Sequence, residues 1–202
     1  MMSVGDRILK RVRDKGRGWV FTPKDFVDFG TRGSIDMALS RLAKSGAIRR
    51  IERGLYDYPK QHDKLGILSP DPDSLAQAVS ARTGEKVFPS AAAAANRLGL
   101  STQVPAKAAY VTDGPTRTRK LAGRTIAMKH TRAPILDSAS SQANAVLQAL
   151  SLIGRDNVDP TLIGALAKRL DNQDIKTLMA GRAQMSGWMG DVVLKIARHH
   201  HG

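Results

Sequence analysis

Apolar residues in the first thirty positions recur at helical spacing and are interrupted by glycine. Ser3 is a candidate N-cap for a first helix, which ends at Gly16-Arg17-Gly18. The inward positions of this helix are Val4, Ile8, Leu9 and Val12. The run Trp19-Val20-Phe21 predicts a short strand, and Thr22-Pro23 then begins a second helix that continues to about residue 29. The second helix is expected to bury Phe26, Val27 and Phe29.

A third amphipathic pattern follows a glycine-containing turn at Gly30-Thr31-Arg32-Gly33. Ser34 is the expected N-cap of a helix that extends to Lys44, and Gly46 is the residue expected just beyond its end. Apolar residues occur on one face, at positions i, i+3, i+4 and i+7: Ile35, Ala38, Leu39 and Leu42. The pattern predicts a short helix with one buried and one polar face.

Two short strand-like runs, residues 48–51 and 55–58, flank a polar tip that contains Gly54. This arrangement is typical of a β-hairpin. Helix, short strand, helix, glycine turn, helix and basic hairpin is the element order of a winged helix-turn-helix. We therefore predict such a domain for residues 1–60. The same elements also occur in protein-interaction modules, in which a charged outer face is simply solvated.

The middle of the chain, residues 61–133, predicts an α+β region. Residues 62–72 are polar and are interpreted as a linker or a surface crossing, and Asp73 is the expected N-cap of a helix that ends at Gly84. Strands are predicted at 86–88, 108–112 and 125–129, and an alanine-rich helix at 91–98. The basic segment 113–120 is either a solvated loop or a second phosphate contact.

The last region, residues 134–202, predicts four helices. The first begins near Ser140 and the second at Asp159-Pro160. Trp188 either packs in the core or anchors an interface. The run His199-His200-His201 is interpreted as a frayed or appended tail, and no metal site is predicted. The expected fold class is thus α+β, with a winged helix-turn-helix, an α+β middle region and a helical C-terminal segment.

Lys and Arg outnumber Asp and Glu by 32 to 18 among the 202 residues, which gives a net charge of +14. Residues 1–60 contain 14 basic and 7 acidic residues, 61–133 contain 11 and 5, and 134–202 contain 7 and 6. The positive charge therefore belongs to the first two thirds of the chain. A surplus of this size favours a polyanionic partner, and double-stranded DNA is the one that fits a winged helix.

A helix in the major groove recognises bases with Arg and Ser, while Lys and Arg neutralise phosphates. On this basis the candidate DNA-binding residues are Thr31, Arg32, Ser34, Ser40, Arg41 and Lys44 on the third helix, Arg49, Arg50 and Arg53 on the hairpin, and Arg117, Arg119 and Lys120 in the basic segment. Asp36 is interpreted as a first-turn carboxylate that the helix dipole favours.

Four phrases carry a family resemblance that spans about residues 5–133. They are Val20-Phe21-Thr22-Pro23, Leu39-Ser40-Arg41-Leu42, Gly46-Ala47-Ile48-Arg49-Arg50-Ile51-Glu52-Arg53-Gly54-Leu55-Tyr56, and Ala93-Ala94-Ala95-Asn96-Arg97-Leu98-Gly99-Leu100-Ser101-Thr102-Gln103-Val104-Pro105. The chain resembles the AbiEi-like antitoxins of type IV toxin–antitoxin systems. The resemblance implies an autorepressor that binds inverted repeats, and an antitoxin that counteracts a nucleotidyltransferase-like toxin. Two copies of the chain, a homodimer on DNA, are expected to bind one inverted repeat.

Several classes of protein are disfavoured by what the sequence lacks. The absence of cysteine excludes disulfides and thiolate chemistry, and no apolar run reaches the roughly 20 residues of a membrane span. The opening residues have no signal-peptide pattern, so a cytoplasmic location is expected. Neither catalytic motifs nor a cofactor-binding motif are found, and an enzyme is not expected. The remaining alternatives are a winged-helix regulator without a toxin partner and an RNA-binding adaptor.

Overall fold

The computed structural model describes residues 2–102 and 108–201, and the side chain of His201 lies outside that description. The protein has an α+β fold, as predicted. It forms two compact units: the first contains Met1–Glu85 and Thr118–Ile126, and the second contains Lys86–Arg117 and Ala127–Gly202. The predicted boundaries after residues 60 and 133 do not coincide with the edges of these units. Residues 103–105, which end the fourth family phrase, lie outside the described residues.

The first unit alternates short helices with short strands. Its elements are α1 (Val4–Lys15), β1 (Val20–Phe21), a 3₁₀ helix (Pro23–Phe29), α2 (Arg32–Lys44), β2 (Arg49–Glu52), β3 (Leu55–Asp57), β4 (Gln61–His62), β5 (Gly66–Ile67) and α3 (Pro72–Thr83). Strands β1, β3 and β2 lie in that order in an antiparallel sheet, and β4 pairs with β5 in a small hairpin. The linker predicted at residues 62–72 thus contains regular structure.

Side-chain caps fix where the helices of this unit begin. Ser3 is the N-cap of α1, as predicted, and it forms a capping box with Asp6. The prediction that Ser34 caps the third helix is wrong, because the Thr31 hydroxyl accepts a hydrogen bond from the Ser34 backbone N–H and α2 begins three residues earlier. The prediction for Asp73 is also wrong: Asp71 is the N-cap of α3. Each error arises where two residues suitable as N-caps lie close together.

The core of the first unit is built from α1, the 3₁₀ helix, α2 and the three-stranded sheet. It contains Ile8, Val12, Phe21, Phe26, Ile35, Leu39, Ile48 and Tyr56. Val27, which was predicted to be buried, is 67% exposed. A 3₁₀ helix has three residues per turn, so Pro23, Phe26 and Phe29 share a face that excludes Val27. The prediction failed because it assumed α-helical spacing.

The second unit combines strands with a helical bundle. Its elements are β6 (Val87–Pro89), α4 (Ala91–Arg97), β7 (Ala109–Thr112), α5 (Ser141–Ile153), α6 (Pro160–Ala167), α7 (Asn172–Ala180) and α8 (Gly187–His201). Strands β8 (Arg117–Leu121) and β9 (Arg124–His130) are divided between the units, because residues 118–126 belong to the first unit and the remaining residues of both strands to the second. The strand order is β6-β7-β9-β8, with β6 antiparallel and β9 parallel to β7. The basic run 117–120 therefore belongs to a strand, and its interpretation as a loop is wrong.

The helices of the second unit enclose a core centred on α5, in which residues 143–150 are all buried. Asn144 is buried without cost because its side chain pairs with both the backbone N–H and the carbonyl oxygen of Leu136. Trp188 is half-buried against this core. The His200 ring lies 3.1 Å from the Ala167 carbonyl oxygen, and α8 continues through His201, so the predicted fraying is wrong.

The turn between β8 and β9 carries the one non-glycine residue with positive φ in the described part of the chain. Ala122 has φ 46° and Gly123 has φ 80°, as a two-residue type I′ loop requires. We expect Ala122→Gly to raise the free energy of unfolding by about 0.5 kcal/mol, because glycine adopts this conformation without strain. Urea denaturation measures the change.

The matched control is Ala81→Gly, the same substitution at an exposed position in α3. There, glycine should lower the free energy of unfolding by about 0.5–1 kcal/mol, because it weakens a helix. A change of the same sign at both positions would contradict the strain at Ala122.

Candidate nucleic-acid interface

The outer face of α2 is a continuous exposed stripe. Burial of Ile35 and Leu39 against the core turns the opposite side of the helix to solvent. The stripe consists of Gly33, Asp36, Met37, Ser40, Arg41 and Lys44, of which Ser40 is half-buried and the others are exposed. Met37 was missed by sequence reasoning, although its spacing from Gly33 and Arg41 signals the outer face. At 58% exposure it offers an apolar contact of the kind that thymine methyl groups accept.

Five predicted site residues of α2 and its N-cap divide into structural and exposed groups. Thr31 caps the helix, and the Ser34 hydroxyl donates a hydrogen bond of 2.8 Å to the Thr31 carbonyl oxygen. Arg32 lies 2.9 Å from Asp36 in an exposed i, i+4 ion pair. Such pairs contribute only about 0.3–0.5 kcal/mol and exchange readily for other partners. Arg41 and Lys44 are exposed, and neither side chain has an ion-pair or hydrogen-bond partner among residues 2–102 and 108–201.

The hairpin β2–β3 directly follows α2, and its first arginine is held within the fold. Arg49 faces Asp57 across the two strands, with nitrogen–oxygen distances of 2.9 and 2.6 Å. Asp57 is 1% exposed, and Arg49 also donates to the Leu68 carbonyl oxygen. Hydrogen bonds to Asp57, aided by its charge, raise the pKa of the Arg49 guanidinium, while partial burial opposes the rise. Arg49 therefore stabilises the hairpin, and its predicted DNA contact gains no support.

The tip of the hairpin is tied down through Glu52. Arg82 of α3 and Arg119 of β8 lie 2.6 and 3.0 Å from the two carboxylate oxygens of Glu52. Arg82 also donates to the carbonyl oxygen of Arg53. Both arginines are therefore held by one carboxylate, so Arg119 contributes to the position of the hairpin instead of offering a free cation. The sequence did not predict a role for Glu52 or Arg82. The one feature of the sequence that singles out Glu52 is that glutamate is scarce in the chain.

Arg50 and Arg53 remain as the cations that the hairpin presents to solvent. Both are exposed, and within the described ranges neither forms an ion pair or donates a side-chain hydrogen bond. Of the basic segment, Lys120 is likewise exposed, while Arg117 is half-buried and belongs to the second unit. Five of the predicted site residues are thus exposed cations without an ion pair in the described ranges: Arg41, Lys44, Arg50, Arg53 and Lys120. Arg32 is exposed but paired with Asp36, and Ser40 is half-buried on the outer stripe of α2.

The carboxylates of residues 1–60 are all engaged inside the chain. Asp6 caps α1, Asp25 caps the 3₁₀ helix, and Asp14 pairs with Lys10 within α1. The other four carboxylates bind arginine: Asp28 pairs with Arg11, Asp36 with Arg32, Glu52 with Arg82 and Arg119, and Asp57 with Arg49. The Arg11 guanidinium, through its hydrogen bonds, holds the pKa of the Asp28 carboxyl below its ordinary value. The cations left over give this part of the first unit a positive surface.

In residues 2–102 and 108–201, no helix combines the length and apolar content needed to cross a membrane. The same ranges contain no cluster of three or more His, Asp or Glu side chains placed to hold a metal ion.

Comparison with known proteins gives one match. Residues 7–178 match the family described as "Family of unknown function (DUF6088)". No curated protein and no solved structure matches the chain. Since the matched segment covers well over half of the 202 residues, the chain belongs to the DUF6088 family.

Proposed function

We propose that the first unit is a winged-helix module that binds double-stranded DNA, and that the protein is a transcriptional repressor. The element order α1, β1, 3₁₀ helix, α2, β2, β3 and the strand order β1-β3-β2 support this proposal, because a winged helix places a hairpin after its recognition helix. In this proposal α2 is the recognition helix and β2–β3 is the wing. Both pack on the same core through Leu39, Ile48 and Tyr56.

The observation that carries the proposal is that the acidic side chains of residues 1–60 are paired or used as helix caps, while several basic side chains are not. All seven carboxylates are paired or used as caps, whereas Arg41 and Lys44 on α2 and Arg50 and Arg53 on the hairpin are exposed. A polyanion with regularly spaced phosphates is the partner that such a surface attracts. Cations on two neighbouring elements, one of them a helix that fits the major groove, favour duplex DNA.

We expect Arg41→Gln to change which sequences are bound rather than how strongly DNA is bound in general. Arg41 lies on the outer stripe of α2, where an arginine can form two hydrogen bonds to guanine. Loss of such a contact should reduce the preference for the specific site over random duplex by roughly 5- to 100-fold, since a bidentate pair contributes about 1–3 kcal/mol of discrimination. Selection of bound duplexes from a random pool, followed by sequencing, measures this preference.

The matched substitution Lys44→Gln removes the same charge from the last turn of α2. It should weaken binding to specific and random duplexes alike, because a lysine there contacts phosphate. Equal losses on both kinds of DNA in the Arg41 variant would reject a base contact for Arg41.

The antitoxin activity implied by the resemblance to AbiEi-like proteins is part of the same proposal. A homodimer would bind inverted repeats in its own promoter, with half-sites about 34 Å apart or a multiple of that distance. Co-expression with a neighbouring nucleotidyltransferase-like gene tests the antitoxin activity. Rescue of growth by this chain supports an antitoxin. If DNA is bound but growth is not rescued, the protein is a winged-helix regulator without a toxin partner.

A further inference from the structure

A cleft of about 550 Å³ opens in the first unit, away from the outer stripe of α2. Its volume lies within the range of small-molecule sites, which is roughly 300–1,000 Å³. The walls come from the end of α1, the Gly18-Trp19 segment, β3 and residues 68–72 before α3. Pro70 and Pro72 stiffen one wall, and half-buried Trp19, whose ring packs 4.7 Å from that of Phe21, is among the lining residues. The cleft is therefore bounded largely by rigid elements.

The acidic side chains in the lining are already engaged. Asp57 is held by Arg49 at 2.6 Å, and Asp71 accepts hydrogen bonds from the backbone N–H and the hydroxyl of Ser74 at the start of α3. The charge of Asp57 is thus compensated by Arg49, while Asp71 serves as the N-cap of α3 through its Oδ2 atom and is the one lining carboxylate without an ion pair in the described residues. The charge that remains in the cleft is positive.

Four cations line the same cleft: Lys15, Arg17, Lys60 and Arg124. Arg17 is oriented by a hydrogen bond of 2.9 Å to the Pro59 carbonyl oxygen and by the Tyr58 ring, 4.7 Å away, which leaves further guanidinium N–H groups to donate. Lys15, Lys60 and Arg124 form no ion pair within the described residues, and all three are exposed. Converging donors of this kind bind phosphate oxygens.

We propose that this cleft binds a phosphorylated small molecule of the nucleotide class, with the cations on its phosphates and Trp19 beside its base. An aromatic face next to a cationic group is the combination that such a ligand needs, because bases stack on indole rings. The inference does not depend on DNA binding by α2 and the hairpin. A phosphate of the DNA backbone would bind to the same cations. The experiment must therefore distinguish a free nucleotide from a DNA phosphate as the ligand of the cleft.

The test uses the full chain with Trp188→Phe, which leaves Trp19 as the single tryptophan. Titration calorimetry and Trp19 fluorescence are measured with ADP, inorganic pyrophosphate and adenosine. We expect one ADP per chain with a change in Trp19 emission, weaker binding of pyrophosphate without that change, and no measurable binding of adenosine. Failure of both ADP and pyrophosphate to bind at millimolar concentration would overturn the proposal.

The decisive variant is Lys60→Gln combined with Arg124→Gln, compared with Arg13→Gln combined with Lys64→Gln. All four residues are exposed cations of the first unit, but the second pair lies outside the cleft lining. The cleft pair should weaken ADP binding by at least about tenfold, since each lost charged hydrogen bond costs roughly 1.5–3 kcal/mol and tenfold corresponds to 1.4 kcal/mol. Equal effects of the two pairs would overturn the proposal.

Binding of duplex DNA is measured for the unmodified protein and for the cleft pair, Lys60→Gln combined with Arg124→Gln. If ADP does not bind but the cleft pair weakens duplex binding, the cleft takes a backbone phosphate and the small-molecule proposal is overturned. If ADP binds as expected while no duplex is bound, the cleft proposal stands and the proposed function fails.

Discussion

Replacing Arg49 by Met is expected to lower the free energy of unfolding by about 3 kcal/mol, because removing one partner of a buried ion pair leaves the other charge uncompensated. Asp57 is 1% exposed and would lose both of its hydrogen bonds to Arg49. Arg49 itself is 28% exposed on its side chain, which places the expected cost at the low end of the range for buried pairs. Urea denaturation followed by Trp19 fluorescence in a Trp188→Phe background measures the change.

Two further variants separate the charge from its geometry. Arg49→Lys keeps the charge but loses the bidentate contact, so about half of the cost should remain. Arg49→Met combined with Asp57→Leu removes both charges and should be more stable than Arg49→Met alone. If Arg49→Met is as stable as the unmodified protein but loses DNA affinity, Arg49 is a DNA contact and its structural role is refuted.

Replacing Arg50 and Arg53 together by Gln should weaken duplex binding roughly 10- to 100-fold at low salt, because each lost charged hydrogen bond contributes about 1.5–3 kcal/mol and exposed sites lie at or below the low end. Both residues are exposed on a hairpin whose tip Arg82 and Arg119 hold through Glu52. The slope of log K against log salt should fall by about 2, since each phosphate contact contributes about 0.9. Fluorescence anisotropy at several salt concentrations measures both quantities.

The control for this pair is Lys195→Gln combined with Arg198→Gln on α8, which removes the same charge from the second unit. For this control, the slope of log K against log salt should equal that of the unmodified protein, because the substitutions change the net charge of the chain but remove no phosphate contact. An unchanged slope in the Arg50 and Arg53 variant would mean that the hairpin does not contact phosphate. Glu52→Gln tests the position of the hairpin separately from its charge, because it removes the ion pairs of Glu52 with Arg82 and Arg119 and leaves Arg50 and Arg53 in place.

The elements of this fold are largely predictable from local signals. The capping box at Ser3, the glycine after α2 at Gly46 and the Asp159-Pro160 start of α6 all act within one helical turn, so the sequence contains the whole interaction. Errors occur where local signals compete or where the helix type changes. Thr31 and Ser34 are both good N-caps, and Val27 points outward because the helix has 3₁₀ spacing.

The exposed cations of the site are predictable from the amphipathic pattern, but their partners are not. Arg41 and Arg50 were expected on outer positions and are exposed there. By contrast, Glu52 and Arg119 are 67 residues apart in sequence, and no local pattern predicts that they meet. The pairing of Arg49 with Asp57 depends on the strand register, which is shifted by an irregularity between Arg50 and Glu52. Tertiary packing thus decides which arginines remain available.

Equilibrium binding of the full chain to three nucleic acids tests the central claim most directly. The three are a duplex from the region upstream of its own gene, a random duplex of equal length and a structured RNA hairpin, each measured at about 150 mM salt. If α2 and the hairpin recognise operator DNA, the upstream duplex should bind at least about 10³-fold more tightly than the random duplex. Equal affinity for the two duplexes, or tighter binding of the RNA hairpin, would contradict a DNA-reading role for the first unit.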